Sequence, residues 1–174
     1  MSHISTGVEY ALHCLLFLAS ASSGAREAGA KDLAELQGIP AEYVAKLFTK
    51  LSKAGLVNAV EGVRGGFSLA LPAAEISVLD VIDAIDGDKR LFECREVRQR
   101  CAVLQDNPPD WSTVSPCSIQ EVMLSAEARM REELARHTLA DLAQRVDDKT
   151  PDSYGVAVVQ WLGHRSSSRR AGRA

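Results

Sequence analysis

Residues 31–71 read KDLAELQGIPAEYVAKLFTKLSKAGLVNAVEGVRGGFSLAL, and their order decides the fold. Lys31 to Gln37 carries Leu33, Ala34 and Leu36, a short helix. Gly38-Ile39-Pro40 then forces a tight turn, because glycine suits the residue after a helix and proline opens the next one. The second helix runs to about Ala54 and stops at Gly55, burying Val44, Leu47, Phe48 and Leu51. Lys46, Lys50 and Lys53 share its other face, with Thr49 beside them. Two short apolar runs, 56–60 and 67–71, flank Glu61-Gly62-Val63-Arg64-Gly65-Gly66, the pattern of a β-hairpin. Helix, turn, helix and hairpin in that order make a winged helix-turn-helix. The expected fold is mainly α with a small β-hairpin wing.

Upstream, residues 6–20 form a first helix, with Thr6-x-x-Glu9 fitting a capping box. Val8, Leu12, Leu15, Leu16 and Ala19 make an apolar stripe, and Ala11, Phe17 and Leu18 fill much of the remainder. Such a helix is expected to be buried nearly all round. Glu9 and His13 interrupt it and share one face at i,i+4 spacing. A buried carboxylate is costly unless it is paired or binds metal. Downstream, Ser77 caps a helix that ends at Asp86-Gly87. From about 116 to 137 a long amphipathic helix carries Ile119, Val122, Met123, Ala126, Met130 and Leu134 on one face. A helix of that length in a small protein needs a second surface, which a dimer supplies. Thr138 caps a further helix to Val146, and Tyr154 to Leu162 is apolar enough to pack. The last residues, from His164, carry four arginines and no acid and are expected to be unstructured. The division expected is 1–76 for DNA binding, 77–148 for the cysteine loop and dimerisation helices, and 149–174 as a C-terminal extension.

A chain of 174 residues fits one domain with an appended element. A formal charge of −3 excludes a bulk polycationic nucleic-acid binder, so DNA contact requires basic residues gathered on one face. Residues 8–19 are too short to span a bilayer and contain Glu9 and His13. No membrane association is expected, and a cytoplasmic location keeps thiols reduced. Three of four cysteines, Cys94, Cys101 and Cys117, fall in an irregular stretch that includes Asn107-Pro108-Pro109-Asp110. Three thiols on one loop suggest a soft-metal site, although such sites usually want four ligands. No nucleophile–base pair and no phosphate-cradling glycine loop is visible, so an enzyme is not expected.

These residues resemble the Rrf2 family of winged-helix regulators, which includes the IscR, NsrR and RsrR types. The resemblance rests on Glu9-Tyr10-Ala11-Leu12, Ile39-Pro40-x-x-Tyr43, Leu51-x-x-Ala54-Gly55-Leu56-Val57, Gly65-Gly66-Phe67-x-Leu69 and the three-cysteine loop, and covers the chain to about residue 148. It implies a cytoplasmic homodimer that binds pseudo-palindromic double-stranded DNA. The wording Gly7-Val8-Glu9, Ala11-Leu12-His13-Cys14 and Arg98-Gln99-Arg100 is most similar to the redox-sensing RsrR type. That type implies a [2Fe–2S] cluster shared between subunits, with Cys94 and Cys117 from one and Glu9 and His13 from the other. Two departures stand out. Cys94, Cys101 and Cys117 are spaced more widely than in the IscR and NsrR types, and Tyr10 stands where the RsrR type has tryptophan.

Each assignment has a competitor. Cys94 and Cys117 read equally as inert buried thiols, and Cys101 competes for a ligand position. Glu9 and His13 read as a capping box and an i,i+4 hydrogen-bonded pair. Cys14, about 100° round the helix from His13, reads as core. The DNA-contacting candidates are Glu42, Tyr43, Lys46, Thr49, Lys50, Lys53, Arg64 and Gly65, against a merely solvated helix face. Two other functions fit: a cluster-free regulator responding to a metabolite or to thiol oxidation, and an iron–sulfur redox protein with no DNA role.

Overall fold

The computed structural model describes residues 3–20, 27–60, 66–103, 109–112 and 114–171. The helix-turn-helix is α2 (Ala30–Gln37) and α3 (Ala41–Lys53). Gly38 joins them at a φ of 67°, in the left-handed region that favours glycine. Its N–H donates to the Glu35 carbonyl at 3.2 Å, and Ile39 N–H to the Ala34 carbonyl at 2.8 Å. These bonds satisfy the last carbonyls of α2 and turn the chain sharply into α3. Val44, Leu47, Phe48 and Leu51 of α3 are buried, as their spacing predicts.

The wing is an antiparallel pair, β1 (Val57–Val60) and β2 (Gly66–Leu69), in the register Val57 to Leu69 and Val60 to Gly66. The other edge of β2 is bridged by Ala28, which exchanges two backbone hydrogen bonds with Phe67 at 3.1 and 2.9 Å. A Cβ on Gly66 would stand 2.7 Å from the Ala28 carbonyl oxygen, so this close approach excludes any side chain there. Phe67 in turn packs against Phe48 with the rings tilted at 44° and their centres 4.7 Å apart, fastening the wing to α3.

Helices α1 (Thr6–Ala19), α4 (Val78–Asp86) and α6 (Leu139–Asp147) complete this core. Val8, Ala11, Cys14 and Leu15 of α1 are buried in one cluster with Ile76, Val81, Ile85 and Leu139. α4 and α6, grouped by sequence with the cysteine loop, thus pack with the winged helix because their apolar faces share its core. They begin side by side. Ser77 and Thr138 form an isolated bridge, with Val78 N–H donating to His137 and Leu139 N–H to Ile76. Each helix is closed by a full capping box, Ser77 with Asp80 and Thr138 with Asp141.

Two expectations for α1 need correction. Ser5, not Thr6, occupies the cap position, and the Thr6–Glu9 capping box does not form. Ser5 instead donates through its N–H and hydroxyl to the Asp86 carboxylate at the end of α4, at 2.8 and 2.6 Å. Nor is α1 buried all round: Glu9 and His13 are exposed, and Leu12, Leu16 and Phe17 are only half-buried.

Helix α7 (Asp152–Ala171) continues where an unstructured tail was expected from His164. Val158 is buried and Leu162 packs against the core. Arg165 lies 4.6 Å over the Trp161 ring and pairs with Glu35, and with Asp32 at 3.6 Å. Those anchors at the middle of α7 hold a segment whose composition alone reads as solvated.

The chain forms two compact units, one of residues up to Gly87 with those from Leu134 on, the other Asp88–Glu133. The second holds two single helical turns, Val97–Arg100 and Asp110–Ser112, and most of α5 (Ser118–Arg136). α5 has 19 residues, about 28 Å of helix, and none is buried. Ile119 is 63 % and Val122 66 % exposed, so the start of the apolar stripe stands open, whereas Met123, Met130 and Leu134 are half-buried. No helix among the described residues is long and apolar enough to cross a membrane.

Candidate functional site

The second unit is built around two sulfurs. From Phe92 to Arg98 alternate residues turn inward, so Phe92, Cys94, Glu96 and Arg98 share one side. Glu96 takes a left-handed φ of 46°, unusual for a non-glycine, and its N–H donates to Cys94 Sγ at 3.4 Å. Cys117 immediately precedes α5, and its Sγ accepts the Gln120 N–H at 3.4 Å, the position of a helix-capping acceptor. Both cysteines are half-buried and line one concavity of 590 Å³ with Phe92, Arg98, Trp111 and Ile119. The Arg98 guanidinium donates to Glu96 Oε1 at 2.6 Å and to the Ser115 carbonyl at 2.8 Å. Its hydrogen bond to Glu96 holds that carboxyl below its ordinary range. The same bond raises the guanidinium's own value, with smaller contributions from Cys117 and Cys94.

Cys101 is exposed and does not line this concavity. Cys14 is fully buried in the core, and burial pushes its thiol up to about 12. Gln37 Nε2 donates to its sulfur at 3.6 Å, which fits an inert packing residue.

On α1, Glu9 and His13 share the exposed face, and neither has a hydrogen-bond partner among the described residues. Neither the capping box nor the i,i+4 pair therefore accounts for them. Among the described residues, no three of His, Cys, Asp and Glu converge as a metal site. Cys94 and Cys117 belong to the second unit, and Glu9 and His13 to the first.

The α3 candidates divide into two stripes. Glu42, Lys46, Thr49 and Lys53 follow helical spacing along the outer face and are all exposed. Thr49 Oγ1 donates to the Ala45 carbonyl at 2.9 Å. Tyr43 and Lys50, seven residues apart, are exposed as well, but each also touches a neighbouring helix. Tyr43 meets Tyr10 of α1 edge to face at 5.9 Å. Lys50 Nζ donates to the Ile85 carbonyl near the end of α4, where a cation is favoured by the helix dipole. This bond engages Lys50 with α4 while its side chain stays exposed, as do those of Lys46 and Lys53. Arg64 and Gly65 of the wing tip lie outside the described residues.

Sequence reasoning missed Arg98 and Glu96 as site residues. Arg98 stood out only as shared family wording. No turn-forming glycine or asparagine marked the left-handed residue beside it.

The description "Rrf2: Iron-dependent Transcriptional regulator" matches residues 4–145. The chain belongs to the Rrf2 family. A relative named an HTH-type transcriptional regulator, from Mycobacterium tuberculosis strain H37Rv, is 36% identical over 140 residues, covering 80% of each chain. Among solved structures, T. potens IscR is 25% identical with a TM-score of 0.63, covering 86% of this chain and 92% of the other. The oxidised form of Staphylococcus aureus CymR is 27% identical with a TM-score of 0.59, covering 82% and 96%. The Rrf2 match stops before α7, so that helix is an addition to the matched region. This Rrf2 protein is a DNA-binding transcriptional regulator, and α3 is the helix that such a fold presents to the major groove.

Proposed function

We propose that this regulator works as a homodimer whose operator binding follows the state of a [2Fe–2S] cluster. Cys94 and Cys117 of one subunit and Glu9 and His13 of the other would hold it, the ligand set of the RsrR type. One observation carries this reading. Two half-buried sulfurs, each accepting a backbone N–H, open into one concavity, while Glu9 and His13 stand exposed and unpartnered on α1. The donors fit such a group: N–H donors to sulfur and mixed Cys, His and carboxylate ligation are both levers on iron–sulfur potentials. A cluster held there supplies reversible one-electron chemistry, and replacing thiolates with nitrogen or oxygen ligands makes the iron easier to reduce.

The chain's own residues supply the rest. His13 can carry a proton along with the electron. α1 is tied to the DNA-reading helix through Tyr10 and Tyr43, and to α4 through Ser5 and Asp86. A pull on Glu9 and His13 therefore moves α3. Two α3 helices must stand about 34 Å apart to read successive major grooves, so a small shift changes operator affinity. Lys46 and Lys53 would contact phosphates, with Glu42 and Thr49 directed at base edges. Arg64 and Gly65 would enter the adjoining minor groove.

Absorption and EPR spectra of anaerobically prepared protein test the ligands. Glu9→Ala, His13→Ala, Cys94→Ala and Cys117→Ala are expected to lose or alter the cluster signal, and Cys101→Ala to keep it. Loss in Cys101→Ala with no change in Glu9→Ala and His13→Ala would replace this ligand set with a three-cysteine one. Equal operator binding by oxidised and reduced holoprotein at matched salt would remove the switch.

A second reading has its own support. CymR has been solved in an oxidised form, and Cys101 here is an exposed thiol. A cluster-free regulator answering to thiol oxidation would be colourless after anaerobic reconstitution. It would also lose its response to peroxide in Cys101→Ser.

A further inference from the structure

We propose that Arg98 is a positioning residue of the dithiol site. It ties the segment bearing Cys94 to the segment bearing Cys117, so that both sulfurs enter one site before any metal arrives. The inference deepens the ligand assignment above and rests on Cys94 and Cys117 being the paired thiols.

Glu96 lies two residues after Cys94, and Ser115 two residues before Cys117. Arg98 Nε donates to the Glu96 carboxylate and Nη2 to the Ser115 carbonyl, so one planar group spans both arms of the loop. A forked guanidinium can make two divergent bonds at once, whereas an ammonium is a point charge. Glu96 is also the residue in the left-handed conformation, and that turn aims its N–H at Cys94 Sγ. A strained residue persists only where its surroundings hold it. Arg98 gripping the Glu96 carboxylate is such a hold, so the tie also orients the first sulfur.

Two other ties join the arms away from the sulfurs, Leu91 N–H to the Glu127 carboxylate at 3.2 Å and Arg131 to Asp88 at 4.0 Å. Among the described residues of Asp88–Glu133, Ser112 alone is buried, and it is polar. Trp111, on the rim of the concavity, is 64 % exposed. With no buried apolar residue among those described in this unit, directed polar ties shape the loop. Arg98 carries a second consequence. Its positive charge lines the same concavity as both sulfurs, so it would offset the negative charge that a cluster held there would bring.

Full-length, metal-free, reduced protein in a Cys101→Ser background tests the tie. Dibromobimane fluoresces strongly only after both of its arms have alkylated neighbouring thiols, so it reads Cys94–Cys117 proximity directly. Arg98→Ala is expected to slow this bridging by about tenfold, the scale of lost outer-shell support at metal sites. Single labelling by monobromobimane should stay near the unsubstituted rate. Arg98→Lys is expected to recover little bridging, and Glu96→Gln to fall between; it also serves if Arg98→Ala does not fold. Anaerobic reconstitution supplies the second arm. Arg98→Ala should hold less cluster, at a lower midpoint potential, while Arg98→Lys restores the potential but not the occupancy. Bridging in Arg98→Ala at the unsubstituted rate would overturn the inference, as would failure of the unsubstituted chain to bridge. A chain that bridges as expected but takes up no cluster would sink the cluster reading alone and leave the role of Arg98 standing.

Discussion

Lys46 and Lys50 stand four residues apart on α3, both exposed, and Lys50 also reaches α4. Lys46 is exposed on the outer stripe, whereas Lys50 caps the end of α4 through the Ile85 carbonyl. Lys46→Ala is expected to weaken binding to all DNA sequences alike. It should also reduce the slope of log affinity against log salt by about 1, measured by gel retardation across a salt series. Lys50→Ala should leave that slope unchanged and cost about 1 kcal/mol of stability, measured by denaturant unfolding. The sequence could list three lysines on one helix. It could not say which of them α4 would claim, because that depends on a contact 35 residues away. Glu9 shows the same limit. Its capping-box spacing was legible, but Asp86, 81 residues from Ser5, takes that serine and moves the cap by one position. The paired cysteines were legible as residue types on an irregular loop. The orientation of Cys94 was not, since it depends on a left-handed Glu96.

Among the elements, those set by local rules came through best. Ser77 and Thr138 were read as caps, and both close full capping boxes. Thr138→Ala should cost about 1 kcal/mol by the same unfolding measurement. Its partner adds a pH dependence. The Asp141 carboxyl is held below its ordinary range by the Thr138 N–H and hydroxyl, so its contribution is complete above the ordinary carboxylate value. That contribution fades as pH falls through the lowered value. Asp141→Asn should therefore lower the thermal midpoint at pH 7, and the gap should close well below about pH 4. The wing was legible from its glycines, and the bridge to Ala28 explains why one of them is fixed. Gly66→Ala should loosen the wing and reduce DNA binding, because a methyl group cannot share the space held by the Ala28 carbonyl. The helical course of α7 was not legible. Its last residues read as a basic tail, and the tertiary anchors at Val158 and Arg165 hold the helix from its middle.

For the whole molecule, α5 poses the question the single chain leaves open. A 19-residue helix with no buried residue is not secured by helix propensity alone. Ile119→Glu combined with Val122→Glu is expected to yield a monomer in sedimentation velocity. If the cluster ligands are divided between subunits, the same variant should also lose its cluster absorbance, although all four proposed ligands remain. A monomer that kept full cluster content would show that one chain completes the site.

The bridge between Ser77 and Thr138 has a further consequence. It joins the starts of α4 and α6 inside the first unit, which the chain leaves at Gly87 and re-enters at Leu134. The segment between is a cassette inserted into a finished DNA-reading frame. A frame held by its own bridge tolerates exchange of what is inserted, so new inputs can be fitted to one reading head by replacing a single continuous stretch of gene.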